Sequence, residues 1–181
     1  MTPADRDEFA SFAAAVAPRL RRTGYLMCGN WHTAEDLTQT TLAKLFASWG
    51  RISRHDSLGA YATRTLLNTY LAEKRRRRSS EVLTAELPDR PAQDAGPEQR
   101  LDIMTALAGL PPRARAIVVL RYWSDQSIEQ VADLMGCSPG NVKSQSARAL
   151  QRLRLLLGEE LAEPGLSTVK PSETITGISH E

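Results

Sequence analysis

The sequence predicts an all-α chain: two helical domains joined by a flexible linker, the second containing a helix-turn-helix. Three observations carry this expectation. Apolar residues recur at helical spacing through most of the 181 residues, with no convincing period-two strand pattern. Residues 79–98, SSEVLTAELPDRPAQDAGPE, hold Pro88, Pro91, Gly96 and Pro97 and few large apolar groups after Leu87, which is linker composition. Beyond them, two short helical patterns flank Gly136, each with a capping residue at its start.

In the first domain, residues 1–78, the stretch TAEDLTQTTLAKLFASW sets Leu42, Leu45, Phe46 and Trp49 at i, i+3, i+4 and i+7. That spacing predicts the buried stripe of an amphipathic helix. Leu37 points roughly opposite the stripe with Asp36 and Gln39 on the flank, so Asp36, Leu37, Gln39 and Thr40 form a surface suited to a partner helix. A second reading of Asp36 stands beside the first. Thr33 to Asp36 is capping-box spacing, and a carboxylate there stabilises a helix start.

The stretch GAYATRTLLNTYLAEKRRRR follows, in which Leu66, Leu67, Tyr70 and Leu71 can pack while Tyr61, Arg64 and Asn68 line up at i, i+3 and i+7. One aromatic, one guanidinium and one amide in a row suit unpaired DNA, because stacking tolerates any base and is worth roughly 1–3 kcal/mol per base. The same pair of Tyr and Arg also fits a seam between helices. From Lys74 to Arg78 the charge runs all round the helix end, where the macrodipole favours cations and phosphates are attracted.

In the second domain, residues 99–157, SIEQVADLMGCS pairs Ser127 with Gln130 at capping-box spacing, and Ile128, Val131, Ala132 and Met135 make an apolar stripe. Gly136 supplies the turn. Ser138 then caps a helix starting at Pro139, where a missing backbone donor costs nothing. Val142, Ser146, Ala149, Leu150 and Leu153 form its inner face, with Ser146 the weak point. Asn141, Ser144, Gln145 and Arg148 fall on the outer face, extended by Arg152. Such a second helix lies in the major groove, where Gln145 matches adenine and Arg148 matches guanine. Residues 158–181 are acidic, rich in Ser and Thr and poorly patterned, and read as a disordered tail.

The formal charge of +2 conceals a segregation: +6 for residues 1–78, −4 for 79–98, +4 for 99–157 and −4 for 158–181. Two basic segments separated by acidic ones imply a polyanion partner for each. Cys28 and Cys137 lie in different segments without a CxxC, and the histidines are His32, His55 and His180, so neither a metal nor another cofactor is expected. Two reduced thiols and no apolar run of signal or membrane-spanning length point to a cytoplasmic protein without membrane insertion. No Gly-rich phosphate loop or nucleophile with its base is legible, and the chain is expected not to be an enzyme.

AEDLTQ, YATRTLLN, the proline-bearing linker and LAGLPPRARAIVVLRYWSDQSIEQVADLMGCSPGNVKSQSARALQRLR, in that order, resemble the extracytoplasmic-function (ECF) sigma factors of bacterial RNA polymerase over about residues 8–157. VKSQ followed by ARALQRLR resembles the actinobacterial SigE-like group. By this resemblance LPPRARAIVVLRYW is the helix before the reading hairpin, with Leu110, Ile117, Val118 and Leu120 packing. It also implies core RNA polymerase and promoter DNA as partners, and an anti-sigma factor as a regulator. Asp36, Leu37, Gln39 and Thr40 would dock on the polymerase clamp helices. Tyr61, Arg64 and Asn68 would hold the melted minus-ten strand beside residues 54–59, with Lys74, Arg75 and Arg76 on upstream phosphates. Asn141, Lys143, Ser144, Gln145 and Arg148 would read the minus-35 element, and the linker would thread the RNA-exit path. Two positions depart from the family: Thr40 stands where Glu is common, and Ser146 where a large apolar residue is common.

Two other readings compete. An autonomous helix-turn-helix regulator would be a dimer on a two-fold operator. An interaction protein that merely neutralises an acidic partner would bind without regard to base sequence.

Overall fold

A computed structural model describes residues 2–51, 57–81 and 98–157, and every regular element among them is helical. Helix α1 (Pro3–Cys28) opens with a capping box in which Thr2 and Asp5 satisfy one another's backbone N–H groups. It closes at Gly29, whose φ of 82° is left-handed and whose N–H donates to Tyr25 O at 2.7 Å. Helix α2 (Trp31–Ser48) follows at once, capped by Asn30 Oδ1, which accepts from Thr33 N at 2.9 Å. The start expected at Thr33 is therefore three residues late, and the capping role weighed for Asp36 falls away.

The inner face of α2 also differs from the expected stripe. Ala34, Leu37, Thr38, Thr41 and Leu45 are buried, whereas Phe46 keeps 43% of its surface exposed. The two threonines join an apolar face because their hydroxyls donate to carbonyls one turn back, Thr38 to Ala34 O and Thr41 to Leu37 O, both at 2.7 Å. Phe46 lies instead edge-on to Phe9 at 5.1 Å between centroids, and Phe9 meets Trp49 at the same distance. A 3₁₀ turn (Trp49–Arg51) ends this segment.

Helix α3 (Leu58–Glu81) packs Ala62, Leu66, Leu67 and Tyr70 inward. It continues through Ser79, Ser80 and Glu81, and α4 (Glu98–Ala108) begins at Glu98, so both ends of the expected linker are helical. Residues 82–97 and the expected tail, 158–181, lie outside the described residues. Helix α5 (Pro112–Val118) runs into a π-helical turn (Val119–Trp123), then α6 (Ile128–Met135) and α7 (Pro139–Leu157) complete the second half.

The two halves share a core. A continuous apolar cluster runs from Leu20, Met27, Leu37, Leu66 and Tyr70 into Ile117, Leu120, Val131, Met135 and Val142, with α5 and α6 packed on α1 and α3. A smaller cluster joins Leu107, Leu110, Val118 and Ala149. The two helical domains expected from the sequence are both present, with apolar faces in contact.

Candidate polymerase and nucleic-acid interfaces

Three faces correspond to the residues singled out from the sequence. On α2, Asp36, Gln39 and Thr40 are exposed together at i, i+3 and i+4. Asp36 Oδ2 sits 3.6 Å from His32 Nε2, and Gln39 Nε2 donates to Glu35 Oε1 at 3.5 Å. Leu37 does not belong to this face. It is 2% exposed and packs in the core, because α2 is covered by α1 and α3 on the side that the sequence pattern left open.

On α3, Tyr61, Arg64 and Asn68 are all exposed along one line, as their spacing requires. Tyr61 N donates to Ser57 O at 3.0 Å, and Ser57 Oγ accepts from Ala60 N, so the helix start that presents Tyr61 is defined locally. Residues 54–56 of the expected base pocket lie outside the described residues. Arg75 and Arg76 are exposed, but Lys74 is half-buried, its ammonium 6.0 Å from the centre of the Tyr70 ring. Arg77 pairs with Glu73 at 2.7 Å, which takes one cation out of the basic run.

The α6–α7 hairpin forms as its local signals dictate. Ser127 and Gln130 make the capping box, Gly136 turns the chain with φ of 61°, and Ser138 Oγ accepts from Asn141 N at 3.2 Å. Asn141, Lys143, Ser144 and Arg148 are exposed and Gln145 half-exposed. They bond to one another: Gln145 Nε2 donates to Asn141 Oδ1, and Arg148 donates to Ser144 O at 3.3 Å and to Ser144 Oγ at 3.5 Å. These bonds tie the polar side chains to one another along the helix, and their donors are of the kind that pair with base edges. Ser146, at the expected weak point, is 6% exposed and its Oγ is buried without a hydrogen bond.

Sequence reasoning missed what the other arginines of the second half do. Arg113 donates to Met135 O at 3.2 Å, Arg115 to Leu26 O at 2.6 Å, Arg121 to Gln126 O, and Arg152 to Gly109 O at 3.1 Å. Four cations counted toward a polyanion surface instead satisfy carbonyls, two of them at the ends of helices α1 and α6, where the dipole favours positive charge. Arg152, read as an extension of the outer face of α7, anchors that helix. Charge alone offered no signal for this division, because a carbonyl partner leaves no mark in the sequence.

Among the described residues no group of His, Cys, Asp and Glu is placed to hold a metal ion, and no helix is long and apolar enough to cross a membrane. Cys28 donates to Asn30 O at 3.1 Å, and burial pushes its thiol pKa up.

The capped hairpin with its polar second helix has the geometry of a DNA-binding helix-turn-helix, here joined to an all-helical first half. Sigma-70 region 2 matches residues 12–80 and sigma-70, region 4 matches residues 100–153. The chain is 37% identical over 150 residues to the RNA polymerase sigma-E factor of Streptomyces coelicolor, covering 81% of this chain and 84% of that one. It is 35% identical over 160 residues to the ECF RNA polymerase sigma factor SigE of Mycolicibacterium smegmatis, covering 83% and 62%. The chain belongs to the ECF sigma factors, in the SigE-like group. Its fold is similar to that of the sigma factor RpoE in complex with the anti-sigma factor NepR from Bartonella quintana, with a TM-score of 0.69 and 28% identity over 83% of this chain and 96% of that chain.

Proposed function

We propose that this protein binds core RNA polymerase and directs it to promoters through minus-35 and minus-ten recognition, assisting the melting that begins transcription. One observation supports the assignment of residues: a single chain exposes a polar row on α7, the second helix of the hairpin, and the line Tyr61, Arg64 and Asn68 on α3. Asn141, Lys143, Ser144, Gln145 and Arg148 read the minus-35 element, Gln145 and Arg148 through bidentate matches to purine edges. Tyr61, Arg64 and Asn68 hold the separated minus-ten strand by stacking and hydrogen bonding, while Lys74, Arg75 and Arg76 attract its phosphates. Asp36, Gln39 and Thr40 dock on polymerase. Thr40 leaves that contact without the extra carboxylate common at its position.

The chain works as an initiation factor rather than an enzyme, in the cytoplasm where polymerase and promoters are. The complex of its structural relative supports regulation by an anti-sigma factor. Transcription from a promoter library by core polymerase plus this protein tests the reading. Transcripts should start downstream of a shared pair of short motifs, and Arg148→Ala should relax preference in the upstream motif alone. Sequence-independent starts, or a dimer that binds a two-fold site without polymerase, would refute it.

A further inference from the structure

The row Asp36, Gln39 and Thr40 on α2 is exposed but contains no apolar side chain, because Leu37, which the sequence pattern set among them, is 2% exposed and belongs to the core. Protein interfaces are anchored by a few large side chains, Trp, Tyr and Arg above all. Close to the row, where α2 begins, a group of that kind stands without a role. Trp31 is the first residue of the helix, keeps 36% of its surface exposed, and lies flat on Tyr25 of α1, with ring centroids 3.9 Å apart and planes 9° from parallel. The Arg21 guanidinium sits over the Trp31 ring, 4.9 Å from its centroid.

A continuous chain of contacts joins this stack to the row. Arg21 Nε pairs with Glu35 Oε2 at 2.7 Å, and the other oxygen of that carboxylate accepts from Gln39 Nε2 at 3.5 Å. Gln39, Glu35, Arg21, Trp31 and Tyr25 are therefore linked one to the next across α2 and α1. A tryptophan free to rotate must be ordered when it binds, whereas one stacked on a second ring and bridged by a cation is ordered beforehand. The Arg21–Glu35 pair has side chains 50% and 43% exposed, so it adds little to stability. Its larger effect is to hold the guanidinium over Trp31.

We infer that the polymerase-docking surface continues from Asp36, Gln39 and Thr40 across Glu35 onto Trp31, that Trp31 is its aromatic anchor, and that Arg21 and Tyr25 are positioning residues for the ring. This rests on the functional reading above for the identity of the partner. Polymerase is the occupant because the stack is continuous, through Glu35, with the row that meets it. The division of work follows from the chemistry. Trp31 supplies apolar area to be buried, while the polar row supplies orientation and selectivity. Arg21→Gln removes the cation from the ring and its charge from Glu35, whereas Arg21→Lys keeps a cation in reach of both.

Equilibrium binding to immobilised core RNA polymerase, together with hydroxyl-radical oxidation of the tryptophans read by mass spectrometry, tests this on the full chain. Trp31→Ala should bind about tenfold more weakly with its helical circular dichroism unchanged. Arg21→Gln should bind about threefold more weakly and Arg21→Lys within about twofold of wild type. In the Trp31→Ala background Arg21→Gln should add nothing, since a residue that acts through the ring has nothing left to position. In the unaltered chain, oxidation of Trp31 should fall about threefold or more when polymerase binds. Trp31 oxidised as readily in the complex as in the free chain, or Trp31→Ala binding as tightly as wild type, would overturn the anchor. Protection of Trp31 that rises with the concentration of the free chain would overturn it too, by assigning the surface to a second copy. Additive losses from Arg21→Gln and Trp31→Ala would overturn the positioning role. A wild-type chain that fails to bind active core enzyme at all would instead refute the functional reading.

Discussion

Arg152 Nε donates to Gly109 O at 3.1 Å, across 43 residues, while Arg148 one turn earlier bonds only within its own helix. Two arginines on adjacent turns of α7 therefore have different work. Arg152→Ala is expected to lower stability by about 1 kcal/mol, with base preference unchanged. Arg148→Ala should leave thermal unfolding within about 0.5 kcal/mol of wild type and cost roughly 1–3 kcal/mol of discrimination at one base pair. Thermal melts together with binding of holoenzyme to single-base promoter variants separate the two.

Ser146 buries a hydroxyl that bonds to nothing. Ser146→Ala removes the desolvation penalty with little loss of volume, and should stabilise the protein by about 1 kcal/mol, or roughly 2–4 °C in melting temperature. Calorimetry on the two proteins decides this. A lower melting temperature for the alanine variant would show that the hydroxyl has a partner.

Leu37 and Asp36 are neighbours in sequence with opposite roles. Leu37→Ala empties a fully packed site and is expected to cost about 2–5 kcal/mol of stability. Asp36→Ala should change stability by no more than about 0.5 kcal/mol, because its side chain is mostly exposed and meets only an exposed histidine. Denaturant titrations of both variants measure the contrast.

Tyr70 gives the fold a limit at high pH. Burial pushes its phenol from 10 up to about 12, with Arg115 opposing and Cys28 adding to the shift. The folded state thus keeps a proton that the unfolded state gives up. The contribution is fully present below pH 10 and is lost as pH rises through 12, on the order of 3 kcal/mol for the two-unit shift. Tyr70→Phe should flatten that limb of the stability profile, as urea midpoints between pH 9 and 12 would show.

What could be read from the sequence was what is local. The caps Ser127 and Ser138, the turn at Gly136 and the outward face of α7 all depend on residues within one or two turns, and they form where their chemistry puts them. The line Tyr61, Arg64, Asn68 was legible for the same reason. The inner face of α2 was not, because Thr38 and Thr41 look polar until their hydroxyls are seen to bond backward. Asn30 was missed as a cap because the apolar pattern used to place α2 begins later than the helix. Arg115 was hidden most completely, since a cation that ends on a backbone carbonyl 89 residues away cannot be told from a solvated one by composition.

Co-elution of the purified protein with core RNA polymerase on a sizing column tests the central claim most directly. The account predicts a one-to-one complex that survives moderate salt and is weakened by Asp36→Ala or Gln39→Ala, both of which leave the fold intact. A protein that elutes apart from active core enzyme even at low salt would contradict it.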